Sequence, residues 1–161
     1  MTEIRAVEPA DWPGIWAIFR PVVAAGDTFP YDPETSEDKA RVLWLEKPLA
    51  TYVALDEGRI AGTYYLIANQ PTLGAHVCNA GYMVHPEARR RGIGRAMCAH
   101  SLDEARRLGF AAMQYNLVAV TNEAGRALWE EMGFEVVGTL PKAFRHKQKG
   151  PVDALVMYRL L

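Results

Sequence analysis

Residues Val84 to Ala96 read VHPEARRRGIGRA, which sets arginines at 89, 90, 91 and 95 around Gly92 and Gly94. The residues before this cluster are strand-like. Those after it repeat apolar side chains at helical spacing (Ile93, Met97, Cys98, Leu102, Ala105, Leu108), so the cluster lies where a strand gives way to a helix. Glycines at such a junction let backbone approach a ligand closely, the helix start offers unpaired N–H groups, and the helix dipole favours an anion. The arginines add bidentate phosphate donors. A pyrophosphate is what such a loop would hold. The loop is not a P-loop, since G-x-x-x-x-G-K-[ST] is absent, and it lacks the third glycine and downstream acid of a dinucleotide fingerprint. Taken by itself it also reads as a solvated basic helix start whose glycines only permit a tight turn.

The whole chain carries 18 Lys and Arg against 19 Asp and Glu, a net charge of −1 over 161 residues. A protein that lives on polyphosphate contacts shows a global basic excess, so the local arginine cluster suits one small phosphorylated ligand. With 50% apolar and 23% charged residues, the composition is that of a globular domain, and residues 1–161 are expected to form one. Cys78 and Cys98 form no C-x-x-C pair and adjoin no histidine cluster, so they predict reduced core thiols, with no metal. The N-terminus lacks a secretory pattern and no apolar run approaches the ~18 residues of a membrane span. A soluble, cytoplasmic protein is expected.

Along the chain, Thr2 to Val7 predicts a strand, Asp11 an N-cap ahead of Trp12-Pro13, and Ile15, Ile18, Phe19, Val22 and Val23 a helix. Gly26 to Ser36 is loop, and a second helix is predicted from Ser36 to about Glu46. Thr51–Leu55 and Arg59–Ala68 read as a hairpin turning at Asp56-Glu57-Gly58, followed by a strand over His76–Val84 that Pro86 stops. A long helix over Gly92–Leu108, a strand over Ala112–Ala119, a helix over Asn122–Met132, and strands over Phe134–Leu140 and Val152–Leu160 complete the chain. The order β-α-α-β-β-β-α-β-α-β-β is mixed α/β with a largely antiparallel first half.

Arg89-x-x-Gly92-x-Gly94, after Tyr82-Met83-Val84-His85-Pro86 and before a long amphipathic helix, resembles the R/Q-x-x-G-x-G/A signature of the GNAT acyl-CoA N-acetyltransferases. Asn122 to Phe134 (NEAGRALWEEMGF) is similar to the family's second signature, N-x-x-A-x-x-L-Y-x-x-x-G-F. The resemblance covers nearly the whole chain. It implies the GNAT fold, a mostly antiparallel sheet whose fourth and fifth strands are parallel and splayed, and acetyl-CoA as acetyl donor. It implies that Met83 and Val84 pair with the pantetheine arm and direct an amide at the thioester carbonyl. Arg89, Arg90, Arg91, Gly92, Ile93, Gly94, Arg95 and Ala96 would hold the pyrophosphate. Asn122 would bond pantetheine or cap the following helix, and Trp129 would line the coenzyme site. Many members carry tyrosine where Trp129 stands, and indole cannot protonate a departing thiolate.

Asn79 and Asn116 sit in strands, where asparagine is depleted, and a buried amide without a partner costs about 1–3 kcal/mol, so both are expected to have defined partners. Bridging backbone where the two strands splay is one such role. With Asn122, and with HVCNAGYMV and GTLPKAFRH, they resemble the branch of the family that acetylates proline analogues such as azetidine-2-carboxylate. That likeness implies Asn79, Asn116 and Asn122 as catalytic residues, with Asn79 orienting the acceptor. The family builds its acceptor wall from the loop holding Phe29, Pro30, Tyr31 and Asp32 and from the Ala143–Gly150 connection. Within that connection, Arg145 would meet an acceptor carboxylate, or the basic run is solvated surface. His85 reads as a turn residue and no base is assigned. The expected activity is acetylation of a small-molecule amine, an amino acid or proline-like imino acid. The alternatives are a phosphinothricin-type or drug-amine acetyltransferase, a non-catalytic acyl-CoA sensor, and a protein Nα- or lysine acetyltransferase. No nucleic acid or membrane partner is expected, and the resemblance leaves a homodimer open.

Overall fold

The computed structural model describes residues 1–161. After β1 (Glu3–Ala6) come α1 (Trp12–Ala25), α2 (Glu37–Arg41), β2 (Ala50–Asp56), β3 (Arg59–Ala68), β4 (Val77–Val84) and α3 (Ile93–Arg107). They are followed by β5 (Ala112–Ala119), α4 (Glu123–Glu131), β6 (Glu135–His146) and β7 (Gly150–Leu160). The sequence of elements is the predicted one. One sheet carries all strands in the order β1-β2-β3-β4-β5-β7-β6, and β4 with β5 is its parallel pair. No helix is long and apolar enough to cross a membrane.

Each helix layer buries one face of the sheet. On one side α1 and the turn after α2 enclose Ile15, Phe19, Trp44, Val53 and Met83. On the other, α3 packs Met97, Cys98 and Leu102 against Tyr64, Leu66 and Met113. Side chains of β4 therefore alternate, with Met83 toward α1 and Cys78 and Ala80 toward α3. Both cysteines are buried free thiols, and burial pushes Cys78 up to about 12 and Cys98 to about 11.

Three local expectations are corrected. Asp11 does not cap α1 through its side chain. Its carboxylate takes two bonds from the Arg5 guanidinium, at 2.7 and 2.9 Å, and one from the Glu8 amide at 2.7 Å, and the Arg5 pair holds its pKa below the usual range. The second helix does not run regularly to Glu46. It widens over Val42–Glu46, where Lys47 N–H bonds Val42 O, because Trp44 is drawn into the core. There the indole N–H donates to Thr63 Oγ1 at 2.9 Å, and the Thr51 hydroxyl donates to Trp44 O at 2.7 Å. The last hairpin is longer than predicted, with β6 reaching His146 and only Lys147–Lys149 forming the turn. Pro141 interrupts the strand pattern in the sequence, but β6 is an edge strand, where a missing donor is tolerated. The register slips between Leu140 and Phe144, and Lys142 adopts φ 50° while its amide bonds Asp153 Oδ1 at 2.9 Å.

The Glu104 carboxylate ties α3 to β2. It accepts the Tyr52 hydroxyl at 2.7 Å and pairs with Arg107 at 2.8 Å. These partners, Arg107 foremost and then Tyr52, hold its pKa at about 2 against an ordinary 4.5. A depressed folded pKa contributes stability that is complete above the unfolded value and is lost as pH falls toward the folded one. In urea unfolding, the wild type is therefore expected to exceed Glu104→Gln at pH 7, with the gap closing as pH falls from about 4.5 to about 2. A gap independent of pH would contradict this account.

Candidate active site

The parallel strands share only the pairs Val77–Ala112 and Cys78–Met113 before they part. Asn79 stands at the branch point. Its Nδ2 donates to Gln114 O at 3.0 Å, so a side-chain amide replaces the next main-chain rung, and its Oδ1 accepts the Tyr65 hydroxyl at 3.3 Å. The Tyr65 ring lies directly over Gly81, where an added Cβ would stand 2.5 Å from it. On β5 the register slips between Tyr115 and Val118, a bulge that carries Asn116 and Leu117. Asn116 is exposed. It accepts Gln114 Nε2 at 2.9 Å and donates to Asn69 Oδ1 at 2.7 Å, which stretches a chain of amides across the mouth of the opening.

Strand parity decides which backbone groups face the opening. Val77 O accepts Asn69 N–H and His85 N–H donates to Ala61 O, both toward β3. By alternation Met83 bonds β3, where it pairs with Thr63, and the backbone N–H and C=O of Tyr82 and Val84 point into the gap. Of the two residues predicted to present an amide there, the geometry selects Val84.

At the end of β4 the chain turns through Pro86–Ala88, with His85 Nδ1 accepting Glu87 N–H at 3.2 Å, the turn role expected for this histidine. Arg90 and Gly92 then take left-handed φ of 63° and 79°. The first bond of α3 runs from Ala96 N–H to Gly92 O, and the amides of Arg89 through Arg95 have no acceptor within the chain. A run of free donors at a helix start among arginines is an anion cradle. Gly94 sits below it with Leu128 3.4 Å from where its Cβ would be, so only a small residue leaves the surface open.

A cavity of about 860 Å³ joins this cradle to the opening in the sheet and reaches the far face. Its walls include Met83, Val84, Arg89, Arg90, Gly92, Ile93, Gly94 and Arg95 at one end, Asn122 and Trp129 beside them, and Phe29, Tyr31, Asn79 and Asn116 at the other. Three predicted residues lie elsewhere. The Arg91 guanidinium turns away to Asp56 at 2.9 Å. Ala96 spends its amide on the helix, and Arg145 lines a separate cavity at the β6–β7 turn. Arg95 pairs with Glu131 of α4. Asn122 caps α4 through Oδ1, accepting Gly125 N–H at 3.1 Å, and its Nδ2 makes no bond within the chain.

Trp129 is wedged between Tyr82 and Tyr115, with ring centroids 4.9 Å from each. Those two tyrosines bond one another at 3.0 Å, and Tyr82 bonds Ser101 at 2.6 Å, so their hydroxyls are spent inside the α3 layer. Burial raises their pKa values and those of Tyr31 and Tyr65, leaving every phenol in the cavity protonated at neutral pH. Asp27 is the one carboxylate on the wall, at the end away from the arginines. Sequence reasoning missed Asp27 and Tyr65. For Tyr65 a signal existed in Gly81, the glycine it faces across the β3–β4 ladder. For Asp27, in a polar loop, there was none.

For coenzyme A titrated calorimetrically into the protein, Arg89→Ala and Gly94→Glu are expected to weaken binding about tenfold or more, the scale of a charge-assisted phosphate bond, and Arg91→Ala much less. A larger loss in Arg91→Ala than in Arg89→Ala would contradict the assigned side-chain directions.

Residues 12–134 match the model of the Acetyltransferase (GNAT) family. The chain is 38% identical over 98 residues to N-acetyltransferase aca1 of Schizosaccharomyces pombe, covering 60% of this chain and 47% of that one. It thus spans about half the length of that curated relative. Among solved structures, a GCN5-related N-acetyltransferase from Kribbella flavida superposes with a TM-score of 0.93 at 44% identity over 99% of this chain and 98% of that one. A GNAT superfamily phosphinothricin acetyltransferase from Sinorhizobium meliloti, in complex with AcCoA, superposes with a TM-score of 0.88 at 25% identity over 99% and 88%.

Proposed function

The chain belongs to the GNAT acetyltransferase family, and from that premise we propose that residues 1–161 act as one acetyl-CoA-dependent N-acetyltransferase on the amine of a small molecule. The observation that carries this reading is the single cavity that passes between β4 and β5, with acceptor-free amides and arginines at one end and Asp27 with polar aromatic residues at the other. A donor and an acceptor entering from opposite faces meet beside Val84 and Asn79. The free N–H groups of Arg89–Arg95 and the guanidinium of Arg89 hold the pyrophosphate, and the open edge of β4 takes the pantetheine arm as an added strand takes its ladder bonds. Bound acetyl-CoA supplies an activated thioester whose thiol, with pKa near ~8.5, leaves near neutrality without full protonation. That is why Trp129, which offers no titratable proton, is compatible with turnover.

The residues of this chain have two tasks. Val84 N–H donates to the carbonyl oxygen as charge builds on it. The acceptor end orients the amine and sheds its proton. An amine of pKa ~10 is neutral about once in a thousand at pH 7, which costs ~4 kcal/mol. Asp27 attracts the ammonium form and gives its proton a route outward through water, while Asn79, Asn116 and Tyr31 fix the nitrogen. Asn122 Nδ2 is free to bond the pantetheine chain.

Asn79, Asn116 and Asn122 all reach the cavity, which supports an acceptor that resembles an amino acid or proline-like imino acid. The second reading is a non-catalytic acyl-CoA sensor, favoured by Trp129 alone. Release of free thiol from acetyl-CoA, followed across azetidine-2-carboxylate, phosphinothricin and a polyamine, separates the two. Turnover with any amine removes the sensor, and tight coenzyme binding without turnover supports it. Asn116→Ala is expected to lower kcat about tenfold with coenzyme affinity nearly intact, and Asp27→Asn to raise KM for a cationic amine more than it lowers kcat. The reverse pattern would remove both from the acceptor end.

A further inference from the structure

The four arginines at the start of α3 meet different partners. Arg89 and Arg90 form no ion pair within the chain, and Arg95 pairs with Glu131 where both side chains are more than half exposed. Arg91 differs. Its Nη2 lies 2.9 Å from Asp56 Oδ2, and the Asp56 side chain is only 16% exposed, so water screens this pair less than the other.

The β2–β3 hairpin builds this pair. A slip in register between Ala54 and Leu55 sets Asp56 opposite Arg59, and Glu57 and Gly58 turn the chain at left-handed φ of 51° and 76°. His85 N–H donates to Ala61 O at 2.8 Å, which keeps the end of β4, and the turn after it, alongside the hairpin. Asp56 does not pair with the arginine opposite it on β3; its carboxylate reaches across to Arg91. The backbone amide of Arg91 belongs to the acceptor-free run, and its neighbours Arg90 and Gly92 both wall the cavity. Its backbone therefore stands at the cradle while its guanidinium is held outside, and rotation about side-chain bonds alone carries that group from carboxylate toward a phosphate. A guanidinium fork serves one anion bidentately at a time, so a phosphate that takes Arg91 must displace Asp56.

We propose that Asp56 competes with the phosphates of the coenzyme for Arg91, and so sets how tightly the coenzyme is held and how fast it leaves. The proposal rests on the acetyltransferase reading and deepens it. Each turnover requires coenzyme A to depart before the next acetyl-CoA enters, and phosphate contacts common to both hold product as firmly as donor. A carboxylate that reclaims one arginine weakens that shared grip. Breaking the Asp56 pair offsets most of what a phosphate gains from Arg91, which accounts for the small loss expected of Arg91→Ala.

The test is a double-mutant cycle read by calorimetric titration of coenzyme A. Asp56→Asn, which keeps the shape of the side chain and removes its charge, is expected to tighten binding about fivefold, the scale of a partly screened ion pair. Asp56→Glu, which keeps the charge, should stay near wild type. In the Asp56→Asn background Arg91→Ala should cost about tenfold, because the freed guanidinium then acts on phosphate unopposed. Dissociation of coenzyme A, followed by stopped-flow displacement, should slow in Asp56→Asn by about the factor gained in affinity. Unchanged or weaker binding in Asp56→Asn overturns the proposal. A gain that persists without Arg91, or that comes from faster association, reports long-range removal of a like charge and overturns it too. The wild type gives a check that needs no variant: the Arg91 Nε–H resonance should move as coenzyme A is added, and a resonance that stays fixed at saturation overturns the proposal. Each of these failures leaves the acetyltransferase reading intact. A wild type that takes up no coenzyme A overturns that reading, and the proposal with it.

Discussion

Two residue pairs, Val77–Ala112 and Cys78–Met113, make up the whole parallel ladder between β4 and β5, and the rest of the molecule is arranged around the separation of these strands. A sheet interior normally cannot be left open, because each unpaired buried N–H or C=O carries the penalty of a lost hydrogen bond. Here the divergence is held by substitutes. The Asn79 amide bonds Gln114 O in place of a strand neighbour, and a bulge in β5 turns Asn116 outward to Asn69. Beneath the gap, Trp129, Tyr82, Tyr115 and Phe134 form a continuous aromatic wedge, the Tyr115–Phe134 pair having centroids 4.3 Å apart. What remains unpaired is the backbone edge of Tyr82 and Val84, which is where an extended ligand finds its bonds.

The same opening explains why the net charge of −1 is no guide to what the chain binds. Positive charge is concentrated in the turn between β4 and α3, and the free amides of Arg89–Arg95 add to it without appearing in any residue count. Arg91 and Arg95 are drawn off to Asp56 and Glu131, so Arg89 and Arg90 are left to face the cavity unpaired. Backbone, more than side chains, makes the cradle. Asp27 at the other end gives the cavity a polarity along its length suited to an anionic donor and a cationic acceptor.

Much of this was legible before any coordinates. The order of elements followed from periodicity and from glycines that end helices, such as Gly109 and Gly133, both found at left-handed φ near 90°. The turn of acceptor-free amides between β4 and α3 followed from its glycines and its place between strand and helix. Features that depend on long-range pairing were not legible. The register that turns Arg91 to Asp56 is set by a hairpin more than thirty residues away, and spacing alone made all four arginines equivalent. Pro141 hid the second half of β6 because edge position, not local sequence, makes a proline tolerable there. His146 and Arg145 looked like solvated charge until the hairpin was seen to fold one inward and leave its neighbour outside. Asn116, expected to be buried, owes its exposure to a bulge that no residue pattern announces.

The central claim is that the unpaired edge of β4 and the turn after it form the coenzyme seat. Amide hydrogen exchange, followed residue by residue with and without coenzyme A, tests it directly, because the claim is about named N–H groups. Slowed exchange is expected at Tyr82, Val84 and the run from Arg89 to Arg95, with Met83, already bonded to β3, unchanged. Unaltered exchange at Val84 and the loop, with protection appearing elsewhere, would contradict the account.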